Sequence, residues 1–339
     1  MRRPLLRSAG PLVSVYNSGV DAFAGLLDGP RARNAYLLRT ILDPPWSIRV
    51  EDRSPLTLVS VVRGQAWITP QGDSEQGDQA VRVGPGDTVV VVGPDPYVLA
   101  DDPATPPDVI VYPGQRCTSL DGEPLAQKMS LGVRTWGKNA DGETVILIGA
   151  YESLGEIGVR LLRALPRLVV LGADQWDCPY LPLLVAEMER DDPGQEAVLD
   201  RLIDLILVAL LRAWFARPEA HPPAWYRAQA DPIVGRALQL IHNNPQHPWT
   251  VAGLAAETGM SRAAFARRFT DLVGEPPMAF LTGWRLALAA DQLRDPDATV
   301  GSVARKVGYG SPFALSVAFK RVHGVSPQAY RTSSSAAAR

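Results

Sequence analysis

The chain has 339 residues, of which 46% are hydrophobic and 21% charged, and its formal net charge is −2. This length gives room for two domains of ordinary size, and the composition is that of a globular protein. Because the whole chain is slightly acidic, we expect non-specific binding to DNA to be weak and tight binding to need a defined site.

The N-terminus and the longest apolar run exclude two further classes of protein. Residues 1–15 contain early arginines but no uninterrupted apolar stretch and no small-residue cleavage site, so no signal peptide is predicted. The run LIDLILVALLRAWFA, residues 202–216, is shorter than the roughly 20 residues of a membrane span and carries Asp204 and Arg212. We therefore expect a cytoplasmic protein without membrane contact, in which this run is a buried helix.

Residues 31–151 are strand-like. Runs such as PLTLVSVVRGQAWITP and VRVGPGDTVVVVGPDPYVLAD are rich in β-branched residues and are interrupted by Gly, Pro and Asp at short intervals. That pattern predicts an antiparallel β barrel or sandwich. The segment VGPGDTVVVVGPDPYVL resembles the second half of a cupin barrel, with the turn PGD at residues 85–87 leading into a strand.

Enzymes of the cupin type usually hold a metal through histidines and a glutamate on barrel strands. Here Tyr97 stands where the second cupin motif would place its histidine. Without imidazoles or a cysteine cluster in the barrel, we expect no metal, no cofactor and no enzymatic activity. All four histidines lie after the barrel in the chain: His221, His242, His247 and His323.

A barrel without a metal still encloses a cavity that can hold a small, largely uncharged organic effector. The aromatic candidates for its lining are Trp46, Trp67, Tyr97 and Tyr112. Trp67 is the first choice, because QAWIT alternates polar and apolar residues and a barrel interior receives every second side chain. Each of these aromatics could instead fill the barrel core.

The chain has two cysteines, Cys117 and Cys178. Two thiols in an intracellular chain are usually reduced and uninvolved in function. A cysteine-based redox sensor stays open as an alternative.

Residues 181–217 show two helical patterns around the turn DDPG at residues 191–194. The second pattern is apolar around most of its circumference, so this helix must bury more than one side. One face can cover the barrel, and another can pair with its copy in a homodimer. The candidate dimer stripe is Leu202, Ile206 and Leu210. A proline-rich linker, residues 218–230, would then hold the two domains apart as a semi-rigid spacer.

Two stretches near the C-terminus have nearly the same pattern, fifty residues apart: TGMSRAAFARRFTDLVGEPPMAF and GYGSPFALSVAFKRVHGVSPQAY. In each, a serine can cap the start of a helix and a glycine can end it. A shorter helical pattern precedes each one. Stacked solenoids need roughly three or more repeats, so two helix-turn-helix units are the better interpretation.

The second helix of each unit has an apolar side and an exposed side. The buried side of the first helix is predicted to carry Phe265, Phe269 and Leu272. The exposed side then carries alanines and arginines, which suit a helix that enters a DNA major groove. An ordinary solvated face is the alternative for these arginines. The candidate DNA-binding residues of the first unit are Ser261, Arg262, Ala263, Ala266, Arg267 and Thr270.

In the second unit, Leu315, Ala318, Phe319 and Val322 predict the buried side. The outward Phe and Val fit thymine methyl groups, or could pack against another part of the protein. The candidate DNA-binding residues of this unit are Ser311, Pro312, Phe313, Ser316, Val317 and Lys320.

Residues 231–331 resemble the DNA-binding domain of the AraC/XylS family of bacterial transcription regulators, most specifically in VGYGS, AFKR and GVSPQAYR. The resemblance implies two helix-turn-helix units joined by a long helix at about residues 277–293. Their recognition helices would enter successive major grooves roughly 34 Å apart. The family often has a polar residue in place of Val317, which shifts the weight of base contacts to Arg267.

The segments ILIGAY, residues 146–151, and LLRALPRLVVL, residues 161–171, resemble the cupin-type sensor domain of one branch of that family. Members of this branch often have a cysteine in place of Ile148, which weakens the redox alternative. The implied partners are double-stranded DNA, a small organic effector and a second copy of the chain, with RNA polymerase as a further candidate.

Charge agrees with this division. Residues 231–331 hold 11 Lys and Arg against 7 Asp and Glu, while residues 1–230 hold 22 against 29. The basic excess therefore lies in the half that is predicted to bind DNA.

We predict an α+β two-domain protein, with an N-terminal cupin-like antiparallel β barrel and helical pair and a C-terminal all-α double helix-turn-helix. The boundaries are 1–180 for the sensor, 181–217 for the helical pair, 218–230 for the linker and 231–331 for the DNA-binding domain. Residues 332–339 form a low-complexity tail that is expected to be disordered. The predicted function is effector-controlled transcription regulation. A DNA-tethered cupin enzyme and a ligand-free architectural DNA binder are the alternatives.

Overall fold

The computed structural model describes residues 35–72, 79–152, 154–295 and 297–337. The N-terminal half of this part of the chain is dominated by short strands. They are β1 (Ala35–Leu42), β2 (Ser47–Val50), β3 (Leu56–Arg63), β4 (Ala66–Pro70), β5 (Val81–Val83), β6 (Thr88–Val92), β7 (Tyr97–Ala100), β8 (Val109–Tyr112), β9 (Arg116–Ser119), β10 (Ser130–Gly132), β11 (Thr135–Gly137), β12 (Thr144–Tyr151) and β13 (Leu168–Leu171).

The helices lie mainly in the C-terminal half. They are α1 (Glu156–Leu162), α2 (Leu181–Met188), α3 (Gln195–Phe215), α4 (Ala224–Arg227), α5 (Val234–Asn243), α6 (Val251–Glu257), α7 (Arg262–Val273), α8 (Pro277–Gln292), α9 (Val300–Lys306), α10 (Pro312–His323) and α11 (Pro327–Ala337). None of the described helices is long and apolar enough to cross a membrane.

The strands form two sheets that share one hydrophobic core. The larger sheet has the order β10-β11-β1-β12-β3-β6-β13, and the smaller has the order β5-β4-β7-β2-β8-β9. Neighbouring strands are antiparallel except for the parallel pairs β1–β11 and β2–β8. Buried valines and isoleucines from both sheets meet between them. This arrangement confirms the predicted cupin-like β domain.

The larger sheet contributes side chains to two hydrophobic cores, one on each face, as strand β12 illustrates. Ile146 is buried toward the smaller sheet, while Leu147 and Tyr151 are buried on the opposite face, where the helices α2 and α3 pack. The pleat of a strand turns successive side chains to opposite faces, which explains this division. A Cβ at Gly149 would lie 2.1 Å from Ile203 Cδ1, so glycine is required for α3 to approach this closely.

The predicted dimer stripe on α3 is wrong. Ile206 is 2% exposed and Leu210 is fully buried, and both pack into the core that α3 shares with the larger sheet. Leu202 is partly buried at the edge of the same core. A helix that is apolar on every side does not reveal which side meets its own sheet, and the sheet takes the side that carries Ile206 and Leu210. Val198 and Leu205 are the exposed apolar residues of this helix.

The predicted spacer between the domains is also different from expectation. Residues 224–227 form α4, and the ring of Tyr226 lies 4.9 Å from that of Phe215, centroid to centroid. Trp225 packs against the core of the sensor domain and against the first core of the DNA-binding domain. The aromatic residues that follow the prolines therefore fold the linker onto both domains instead of holding them apart.

The C-terminal half has two small cores that share α8. Phe280 and Trp284 belong to the first core, and Leu286 and Ala290 belong to the second. This confirms an all-α region with two units joined by a long helix. In the described part of the tail, α11 continues to Ala337, and the disorder of residues 332–339 stays a prediction. Alanines favour helix, and extending an existing helix costs less than starting one.

Candidate functional site

Both recognition helices begin and end as the sequence predicts. Ser261 Oγ accepts a hydrogen bond from the Ala264 N–H at 3.3 Å, and Ser311 Oγ accepts one from the Ala314 N–H at 3.1 Å. Each helix ends at a glycine in the left-handed region, with φ of 87° at residue 274 and 75° at residue 324. The caps therefore fix the limits of α7 and α10. Ser261 and Ser311, which were predicted as DNA-binding residues, therefore use their hydroxyl groups as helix caps.

The inner side of α7 differs from the prediction at its end. Phe265 and Phe269 are fully buried, as predicted. Leu272 is 37% exposed, and Val273 is buried in its place. The buried stripe keeps a spacing of four residues through Phe265, Phe269 and Val273, which turns Leu272 outward. Leu272 therefore adjoins the exposed face of the helix.

The outer side of α7 carries two neighbouring arginines with different roles. Arg268 Nε lies 3.2 Å from a carboxylate oxygen of Asp231, and this hydrogen bond lowers the pKa of Asp231. Asp231 also accepts from the Val234 N–H at 2.9 Å, so Arg268 holds the start of α5 in place. Arg267 is exposed and forms no salt bridge with any described residue.

The remaining candidate residues on α7 surround Arg267, and most of them have short side chains. Arg262 and Ala263 are exposed, and Ala266 and Thr270 are half-buried. The Thr270 hydroxyl donates to the Ala266 carbonyl at 2.9 Å. Small side chains beside a free guanidinium allow a close approach to the edges of base pairs.

The second recognition helix, α10, presents apolar groups instead. Phe313 is 77% exposed and Val317 is 56% exposed, so no described part of the chain covers them. Lys320 is exposed, while Ser316 uses its hydroxyl to donate to the Pro312 carbonyl at 2.8 Å. The predicted buried side is wrong at Val322, which is exposed, because the core of this unit ends at Phe319.

A cavity of about 110 Å³ lies between the two sheets of the sensor domain. Residues at every second position of four strands line it, as the pleat of the strands requires. They are Tyr36, Leu38 and Thr40 on β1; Ile48 and Val50 on β2; Tyr97 and Leu99 on β7; and Ile148 and Ala150 on β12. Asp52, Val111, Gln115, Cys117, Ala126 and Trp136 complete the lining.

Of the four aromatics predicted to line the cavity, the structure places Tyr97 there. Burial raises the pKa of its phenol well above the usual value, so the group stays protonated at neutral pH. The lining also includes Tyr36 and Trp136, which the sequence analysis missed. Alternation along AYLLRTIL would have grouped Tyr36, Leu38 and Thr40 on one side, but it does not tell which side faces inward.

The prediction that Trp67 faces inward is wrong. Ile68 pairs with Leu99, which lines the cavity, and Ile68 is fully buried in the core between the sheets. Trp67 is the neighbour of Ile68 on the strand and is only partly buried, so it points to the outer face of the sheet. The alternation in QAWIT was correct, but the inward residues are Ala66 and Ile68.

Trp46 and Tyr112 also lie away from the cavity wall. Trp46 is buried in the core between the sheets, in agreement with the alternative that some aromatics fill the barrel. Tyr112 follows Val111, which lines the cavity, and therefore points outward, where the Arg116 guanidinium lies 4.7 Å from its ring centroid.

The two cysteines are free and lie in different cores. Cys117 lines the cavity, and burial raises the pKa of its thiol to about 11. Burial likewise raises the pKa of Cys178. The thiolate is the reactive form of cysteine, and burial disfavours it at both positions.

Among the described residues, no group of three or more His, Cys, Asp and Glu side chains could hold a metal ion. All four histidines lie outside the two sheets, as expected. The absence of a metal and of enzymatic activity stays a prediction.

Comparison with known proteins supports both halves of this description. The cupin family matches residues 21–216, and the helix-turn-helix domain family matches residues 254–333. An AraC-like transcription regulator of Streptomyces lividans is 33% identical over 294 residues, which cover 84% of this chain and 90% of that protein. The transcriptional regulator MtrA of Neisseria gonorrhoeae is 26% identical over 92% of this chain and 98% of its own length.

A solved structure of the DNA-binding domain of AdpA in complex with a target DNA is 36% identical. It covers 30% of this chain and 92% of that chain, with a TM-score of 0.29. The family match over residues 21–216 and the relative that spans 84% of the chain decide the assignment. This protein belongs to the AraC-like family of transcription regulators, with a cupin domain before its helix-turn-helix domain.

Proposed function

We propose that this regulator binds one defined DNA site through α7 and α10 and that a small, uncharged organic molecule in the cupin cavity controls this binding. The observation that carries the proposal is the cavity, which has apolar walls and a few polar groups within the domain that contacts the DNA-binding half. Such a lining is typical of a small-molecule site.

On the DNA side, the two recognition helices have unequal tasks. The Arg267 guanidinium can pair with O6 and N7 of a guanine, while Ala263 and Ala266 leave room for the groove edge. Phe313 and Val317 fit thymine methyl groups, and Lys320 is placed for a phosphate. The first unit therefore supplies most hydrogen bonds to bases, and the second supplies apolar contacts.

The route from cavity to DNA runs through the end of β12. Ile148 and Ala150 on β12 line the cavity. The strand ends at Tyr151, and α1 begins five residues later, at Glu156. The Glu156 N–H donates to the Asp291 carboxylate on α8 at 2.6 Å. A Cβ at Gly155 would lie 2.6 Å from the same carboxylate, so glycine is needed for this close contact.

A second contact joins the same helix to the end of the DNA-binding domain. The Tyr330 hydroxyl donates to Glu156 Oε1 at 3.1 Å. The helix α1 therefore contacts both α8, which sets the distance between the two units, and α11. An effector that binds one arrangement of β12 more tightly would shift the population of these contacts in proportion to the difference in affinity.

Association of two copies belongs to this proposal as well. With Ile206 and Leu210 in the core, the remaining apolar surface of α3 is the exposed side with Val198 and Leu205. Homodimerisation, contact with RNA polymerase and residence in the cytoplasm stay predictions.

Selection of binding sites from a random pool of DNA duplexes tests the DNA half of the proposal. We expect the full chain to enrich one motif with two parts about 10 base pairs apart, the spacing of successive major grooves. The part bound by the first unit should contain a guanine, and the other part should be rich in thymine. Enrichment of no motif would contradict sequence-specific binding.

Tyr330→Phe tests the coupling, because it removes the hydrogen bonds of the hydroxyl with Glu156 and Arg294 and keeps the ring packed on Phe319, 5.4 Å away between centroids. We expect a changed affinity for the selected site with unchanged base preference. Thr332→Ala is the matched control, since the Thr332 hydroxyl donates within its own helix at 3.1 Å. Equal affinity of both variants and the parent chain would contradict this route.

A further inference from the structure

Thr40 holds a buried hydroxyl that has no hydrogen-bond partner among the described residues. The residue is 1% exposed and lies on β1, in the wall of the cavity. Other buried polar atoms of the described chain also lack partners, but none of their residues lines this cavity. Thr40 therefore combines an unpaired polar group with a position in the cavity wall.

An unpaired buried hydroxyl destabilises a protein, because it loses its hydrogen bonds to water and gains none. Valine has nearly the same shape and would avoid this loss. Most buried polar groups in native proteins are paired, so an exception calls for a specific reason. A ligand that pairs with the hydroxyl when it enters the cavity supplies one.

The surroundings of Thr40 define the shape of that ligand. Thr40 lies beside Trp136 on the parallel neighbour β11 and beside Ile146 on the antiparallel neighbour β12. Ile48 and Leu99, which pair with each other, line the cavity from the opposite sheet. Thr40 thus brings a hydroxyl group to a largely apolar wall, in which its Oγ1 atom is itself buried.

The charge of the residues that line the cavity indicates the chemical class of the ligand. Among the described residues that line the cavity, Asp52 is the acidic one, and none is Lys or Arg. Its carboxylate accepts from the Ser54 N–H at 3.0 Å and from the Ser54 hydroxyl at 2.6 Å, bonds that the charged form strengthens. A ligand carboxylate or phosphate would meet this charge without a cation from the described lining to balance it.

The cavity volume of about 110 Å³ sets the size. A dry cavity of roughly 150 Å³ lined by apolar side chains is known to admit benzene. The space inside the present cavity therefore matches a molecule of about one ring.

We propose that Thr40 is the hydrogen-bonding anchor of the effector, which is a neutral molecule of about one ring with a hydroxyl group. This inference rests on the proposed function of the cavity as the effector site. It adds the anchor, the size of about one ring and the hydroxyl group, none of which the proposed function requires.

The test uses the full chain at pH 7 and three probes at equal millimolar concentration: phenol, toluene and benzoate. Phenol and toluene have nearly the same shape, and benzoate adds a negative charge. We expect phenol to raise Tm most, toluene to raise it less and benzoate to leave it unchanged. A larger shift with toluene than with phenol, or no shift with any probe, overturns the inference.

Thr40→Val and Thr40→Ser separate the hydroxyl from the shape of the side chain. Without a probe, Thr40→Val should have a higher Tm than the parent chain, because the unpaired hydroxyl is gone. With probes, it should bind phenol and toluene alike, while Thr40→Ser should keep the preference for phenol. A Thr40→Val variant that keeps the preference for phenol overturns the role of Thr40.

Ala150→Leu tests the site itself, since the added methyl groups enter the cavity wall. Ile148→Trp is a second variant that fills more of the space. Loss of the phenol shift in folded Ala150→Leu or Ile148→Trp is expected. If both fold and keep the full shift, the cavity is not the site and the proposed function fails, whereas failure at Thr40 alone leaves that function intact.

Discussion

The two helix-turn-helix units repeat one scaffold but present different surfaces. Each has a serine cap, a buried phenylalanine and a terminal glycine at positions fifty residues apart. On the exposed side, the first unit has Arg267 among small residues, while the second has Phe313 and Val317. The residues that make the fold are thus repeated, and those that contact a ligand are free to differ.

The corresponding cores of the two units should contribute similar amounts to the free energy of unfolding. Phe269 and Phe319 are both fully buried at matching positions, so we expect Phe269→Ala and Phe319→Ala each to cost about 3–5 kcal/mol of stability. Urea unfolding of the full chain measures this, with Leu272→Ala as an exposed control that should cost far less. A much smaller loss for one phenylalanine would show that the two cores are not equivalent.

The stability of the first unit should depend on pH through His242, which belongs to this unit. Burial, with a smaller contribution from the Arg160 charge, lowers the pKa of His242 to about 4. Its ring lies 4.3 Å from that of Trp284. Between pH 6.5 and 4 the unfolded chain binds a proton here that the folded chain does not, so stability falls as pH falls, by up to about 3 kcal/mol.

His242→Leu should remove this dependence from the unfolding free energy measured across that pH range. His247→Leu is the control, since His247 is exposed beside Trp249. Parallel pH curves for the parent chain and His242→Leu would contradict the assignment.

The arginines of α7 separate contact with DNA from support of the fold. Arg267→Ala should cost about 1–3 kcal/mol of specific binding and relax the preference at one base pair, because one bidentate contact to guanine is lost. Arg268→Ala should keep that preference, because Arg268 pairs with Asp231. Fluorescence anisotropy with the selected site and its single-base variants measures both. Equal weakening on every sequence would make Arg267 a phosphate contact.

The smallest effect concerns the caps. Ser261→Ala and Ser311→Ala should each cost about 1 kcal/mol, since each removes one hydrogen bond to the first turn of a recognition helix. Thermal unfolding followed by circular dichroism measures this. A loss of DNA binding without a change in stability would show that a serine hydroxyl contacts DNA instead of acting only as a cap.

Local patterns in the sequence predicted most of the C-terminal half. Ser261, Gly274 and their repeats determine where each recognition helix begins and ends, and these signals act within one turn of the chain. The four-residue spacing of Phe265 and Phe269 likewise identifies the buried side. The prediction failed at Leu272 and Val322, at the helix ends, where the neighbouring helices decide how far the core extends.

The sensor half depended on long-range packing. Alternation in a strand separates Trp67 from Ile68, but only the pairing of Ile68 with Leu99 decides which of them faces the cavity. The same applies to α3, whose apolar circumference allowed Ile206 to lie at an interface or in the core. The sequence by itself therefore determined the family, the helix limits and the two-domain order. The tertiary structure decided the inward faces, the contact of α1 with α8 and the cavity around Thr40, because these depend on residues brought together from distant parts of the chain.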